Sequence, residues 1–110
     1  MIRWSPARPL RARCPHERLR RLLGHYLPAD WRISQSEAKP WASASFVGAR
    51  HIFHVTLPVA AALFDALAGK LQQDISDVEW PIRGHIVADC AASAAEDKGG
   101  ILLEILTVED

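Results

Sequence analysis

Leu19, Leu22, Leu23, Tyr26 and Leu27 recur at i, i+3, i+4, i+7 and i+8. That period places them on one apolar stripe of a helix. Arg18, Arg20, Arg21 and His25 fall on the opposite side. Pro15 suits a first helical turn, and Glu17 complements the positive end of the helix dipole. Pro28 ends the segment. A second stripe, Ala60, Leu63, Phe64, Leu67 and Leu71, follows Thr56 as an N-cap and Pro58 in the first turn.

Between the helices the period falls to two. Trp31, Ile33 and Gln35 alternate with Arg32, Ser34 and Ser36, which predicts a strand over Asp30–Glu37 that Lys39-Pro40 breaks. Trp41–Val47 and Arg50–Leu57 flank Gly48-Ala49, and a Gly-X pair suits a two-residue type II′ hairpin. In that register Phe46, Ala44, Ala42, His51, Phe53 and Val55 share one face. Trp41, Ser43, Ser45, Arg50, Ile52, His54 and Thr56 share the other.

The last third reads as another hairpin, His85–Ala92 and Ile101–Val108, with residues 96–100 in its loop. Strict alternation puts Ile86, Ala88 and Cys90 with Ile101, Leu103 and Ile105. The opposite face then holds Val87, Leu102, Leu106 and Val108 beside His85, Asp89 and Glu104. This second face is too apolar to be left to water, so the first helix and the N-terminal arm cover it, or another subunit does.

The expected fold is α+β, in the order α-βββ-α-ββ. It has a largely antiparallel sheet of about five strands with two helices packed on one face. A chain of 110 residues makes one domain, placed at 14–110. Pro6 and Pro9 among arginines make residues 1–13 an extended basic arm of the mature protein.

Composition narrows the class. Apolar residues at 49% and charged residues at 24% exclude chain-wide disorder. No run approaches the roughly 18 apolar residues of a membrane helix. The basic N-terminus lacks the apolar stretch of a secretory signal. Two cysteines, Cys14 and Cys90, do not make a disulfide framework, and Cys90 in an apolar run reads as a buried free thiol. These features point to the cytoplasm.

The formal net charge of zero hides an asymmetry. Residues 1–28 hold seven arginines against Glu17 alone, and the rest of the chain carries the balancing excess of acid. The partner of such an arm is a polyanion, the acidic body itself, or a second protein.

The chemistry-bearing residues form no familiar constellation. His51, His54, His85, Cys90, Cys14 and His16 suggest a metal, but His51 and His54 point to opposite faces of one strand. No ligand spacing of a known metal site is present, so neither metal nor cofactor is expected. His85 with Asp89 or Glu104 is the acid/base candidate, because a carboxylate beside an imidazole orients it. No nucleophile elbow and no phosphate-cradling glycine loop occurs. Arg11, Arg13, Arg18, Arg20 and Arg21 are the candidates for binding nucleic acid or another polyanion. The expectation is a non-enzymatic protein-interaction module acting as a homodimer. Polyanion binding is the alternative, and a small His85-based enzyme is the second alternative.

Overall fold

A computed structural model describes residues 14–95 and 99–110. The predicted arm at 1–13, with Arg11 and Arg13, lies outside the described residues, as do Glu96, Asp97 and Lys98 of the last loop. Six main elements follow one another: helix α1 (His16–Tyr26), strands β1 (Arg32–Ala42) and β2 (Val47–Thr56), helix α2 (Phe64–Ser76), and strands β3 (His85–Ala94) and β4 (Ile101–Glu109). The class is α+β, but the order is α-β-β-α-β-β and the sheet has four strands, all antiparallel to their neighbours.

The missing fifth strand is the result of Pro40. It does not break the chain, because β1 is an edge strand and runs straight through it. A proline nitrogen is tolerated where no ladder donor is needed. The hairpin turn also moves. Ala42 pairs with Val47, and Ser43–Phe46 form the loop, closed by the Ser43 N–H donating to the Phe46 carbonyl at 2.7 Å. The Ser43 hydroxyl also accepts from the Phe46 N–H at 3.2 Å.

Gly48 therefore lies inside β2 and has no positive φ. It serves a close approach instead. A Cβ there would collide with the Thr107 carbonyl and crowd the Trp41 indole at 3.1 Å.

The second helix starts later than Thr56 and Pro58 suggest. The Thr56 hydroxyl is used across the β1–β2 pair, donating to the Arg32 carbonyl at 3.4 Å. A 3₁₀ turn at Ala61–Leu63 precedes α2, whose buried residues are Phe64, Ala68, Leu71 and Ile75. Leu63 is exposed.

The spatial order is β1-β2-β4-β3. The chain leaves β2, crosses through α2, lays down β3 one place away, and returns with β4 into the gap. β4 is thus central, and Ile101, Leu103 and Ile105 are fully buried. They join Phe53 and Val55 of β2, Leu19, Leu23 and Leu27 of the α1 region, and Ala68, Leu71 and Ile75 of α2 in one core. Both helices therefore cover the same sheet face. Full burial of Leu19 and of Leu23 is worth about 1.5–3 kcal/mol each and is the main hold on α1.

β3 breaks strict alternation. Its pairing with β4 shifts between Val87 and Asp89, so Ala88 is a bulge. Val87 then shares Thr107's face, and Cys90 and Ala92 share that of Ile105 and Leu103, towards the helices. Ile86, expected inside, is 54% exposed on the open side.

Candidate functional site

The bulge decides where the acid/base candidates go. His85 is paired with Glu109 and lies on the face of Thr107 and Ile105. Beyond the extra residue, Asp89 is paired with Leu106 and Ala91 with Glu104, on the opposite face. The pairing therefore does not bring His85 together with Asp89 or Glu104. Each has another partner. The His85 Nδ1–H donates to the Arg83 carbonyl at 3.3 Å. An Asp89 carboxylate oxygen accepts from the Cys90 N–H at 2.9 Å, which satisfies a backbone donor at the bulge. Glu104 lies 3.7 Å from the Arg50 guanidinium.

Arg50, Asp89, Ala91, Glu104 and Leu106 line a shallow cavity of about 300 Å³ on the uncovered side of the sheet. The surrounding rows follow from the register. Trp41, Gly48, Val108 and Ile86 lie across one end, Lys39, Arg50, Leu106 and Asp89 across the next row, then Glu37, Ile52, Glu104 and Ala91. His54, Leu102 and Ser93 complete the face. Apolar side chains and charges of both signs are interspersed, and no described helix lies over them.

The covered side carries a polar arrangement that spacing does not reveal. His51 and Thr107 are fully buried within the apolar core. The Thr107 hydroxyl donates to the Ala49 carbonyl at 3.3 Å. Its oxygen therefore accepts from His51 Nε2–H at 2.9 Å. That leaves His51 Nδ1 as an acceptor, and His16 Nδ1–H donates to it at 2.9 Å. The His16 ring also stacks against Phe53 at 5.1 Å between centroids.

Burial pushes the His51 imidazole down to about 4, helped by the nearby His16 and His85. Burial and Arg20 lower His16, opposed by Glu17. Both rings are neutral at pH 7. His16 Nε2 is buried with no hydrogen-bond partner among the described residues, so it offers no lone pair to an outside substrate. His54 lies on the opposite face from His51, as strand alternation requires. Among the described residues, no three His, Cys, Asp or Glu side chains gather as a metal site.

Cys14 and Cys90 are free thiols, the first exposed and the second half-buried. Burial, with a smaller contribution from Asp89, pushes Cys90 up to about 11. Its thiol packs against the core. Arg18, Arg20 and Arg21 are exposed along α1. No described helix is long and apolar enough to cross a membrane.

Compared with protein families, with curated proteins and with solved structures, the chain matches none.

Proposed function

We propose that this protein is a small non-catalytic interaction module that pairs with a second copy of itself through the uncovered face of its sheet. The observation that carries this reading is the one-sided packing. Both helices seal one face, while Leu102, Leu106, Val108, Ile52 and Ile86 remain at least partly accessible on the other. A sheet with apolar residues on both faces needs a layer on each.

Size sets the strength of such a contact. Four strands at about 4.8 Å spacing, overlapping over about eight residues, give a face of roughly 500–600 Å². Two such faces bury about 1,000–1,200 Å², at the lower end of specific interfaces, which implies a reversible dimer. The mixed charges fit this picture. Lys39 and Arg50 alternate with Glu37, Asp89 and Glu104, so a twofold contact can oppose unlike charges.

Sedimentation velocity over a concentration series tests the reading. The expected result is a monomer–dimer equilibrium, abolished by Leu106→Ser or Ile86→Ser without a change in monomer fold. A sharp monomer at about millimolar concentration overturns it.

A further inference from the structure

Between α1 and the start of β1 runs a groove of about 430 Å³. Its lining includes Arg20 and Arg21 from the helix, Arg32 from the strand, His25, and the side of Trp31. Glu17 is the one acidic residue in that lining. Arg32 lies outside the arginine-rich segment of the sequence and reaches this place only through the fold.

Three features distinguish the groove from an ordinary basic surface. The three guanidinium groups make no ion pair with any described residue. All three arginines line the same concavity, Arg20 and Arg21 from the helix and Arg32 from the edge of β1. Trp31 packs, partly buried, against the hydrophobic core and also lines the groove, so an aromatic residue stands beside the arginines. Gly24 provides a further argument. Glycine is disfavoured inside a helix, and here no described neighbour demands it, because no described residue lies within 4 Å of where its Cβ would stand. Gly24 lines the groove, and its missing side chain leaves the helix wall bare.

We propose that this groove binds a nucleoside phosphate unit, its phosphate held by Arg20, Arg21 and Arg32 and its base against Trp31. Guanidinium groups match phosphate oxygens with paired donors, and an indole gives a stacking surface that accepts any base. A groove of this volume lies within the range that small ligands fill. The unit is supplied by single-stranded nucleic acid or by a free nucleotide, since both present the same chemistry. The groove lies at the β1 edge beside α1, and none of its lining residues belongs to the rows of the proposed dimer face, although the register continues that face to Arg32 opposite Thr56.

The test uses the full chain with two probes, a fluorescein-labelled oligothymidylate of about ten nucleotides and adenosine monophosphate. The salt series runs from about 20 to about 200 mM. Oligomer binding with a log–log salt slope of about −0.7, as expected for one phosphate neutralised on a single strand, identifies a strand as the source. Adenosine monophosphate binding as tightly as the oligomer identifies the free nucleotide. Either outcome supports the site when Arg32→Gln weakens binding about tenfold and Gly24→Leu blocks it. Gly24→Leu stays folded because leucine is the better helix former, and Trp31→Phe removes the ligand-induced quenching of tryptophan emission. Binding that survives both Arg32→Gln and Gly24→Leu overturns the proposal, since it places the ligand elsewhere. So does the absence of binding to either probe at the lowest salt. Heparin bound equally well without tryptophan quenching overturns it too, because charge alone then suffices.

Discussion

The Nδ1 atoms of His16 and His51 stand 2.9 Å apart, and only one of them carries a proton. Thr107 settles which. Its hydroxyl is committed to the Ala49 carbonyl, so His51 uses its own proton on Nε2 and turns a bare Nδ1 towards the helix. A second proton on His51 would set two donors against each other at hydrogen-bond distance.

That arrangement predicts a loss of stability in mild acid. The folded His51 titrates near 4, below its unfolded value of 6.5. Between these values the unfolded chain binds the extra proton and the folded chain does not, so unfolding is favoured as pH falls. The contribution is fully present above pH 6.5 and decreases through the window down to about 4, for a total of about 3 kcal/mol. His16 is lowered as well and acts with the same sign. Urea unfolding at steps from pH 7.5 to 5 is expected to show the midpoint falling before most carboxylates titrate. A constant midpoint across that range would show that both rings take up protons equally in the two states.

Thr107→Val removes the acceptor and keeps the shape. The buried His51 Nε2–H is then left unsatisfied, which costs about 1–3 kcal/mol. Thr107→Ser retains the hydroxyl and is expected to lose clearly less. Equal losses in the two variants, by chemical denaturation, would assign the effect to the missing methyl packing.

Two glycines respond in opposite directions. Gly48→Ala drives a Cβ into the Thr107 carbonyl and the Trp41 indole, at an expected cost of about 2 kcal/mol or more. Gly24→Ala meets no described residue and gains helix propensity, with an expected rise of about 0.5–1 kcal/mol. Thermal melts of both variants check the contrast.

The two thiols differ in reactivity. Iodoacetamide near pH 8 is expected to modify exposed Cys14 well before half-buried Cys90, whose thiol is held at about 11. Peptide mass mapping over time reads the order.

The sequence carries the element types well and their joints poorly. The stripe of Leu19, Leu23 and Leu27 and the alternation of His51, Phe53 and Val55 are strong periodic signals, and those residues are buried as expected. Gly48 looks like a turn residue because the same residue type serves both positive φ and close packing, and only the tertiary neighbours Trp41 and Thr107 distinguish them. Pro40 looks like a breaker until β1 is known to be an edge. The bulge at Ala88 has no residue signature, yet it sends His85 to one face and Asp89 to the other. His16 and His51 are 35 residues apart, so their contact has no local pattern. Arg32 joins Arg20 and Arg21 only when β1 packs beside α1.

The position of β4 between β2 and β3 has a consequence for how the chain is made. Val55 meets Ile101 and Gly48 meets Val108, contacts that span much of the sequence. On the ribosome, α1, both strands of the first hairpin, α2 and β3 emerge before the strand that joins the two halves of the sheet. Until then β2 and β3 present bare inner edges, and Phe53 and Leu71 lack the buried side chains of β4. Such long-range closure slows folding relative to a helical bundle of equal size and leaves the nascent chain open to edge-to-edge association.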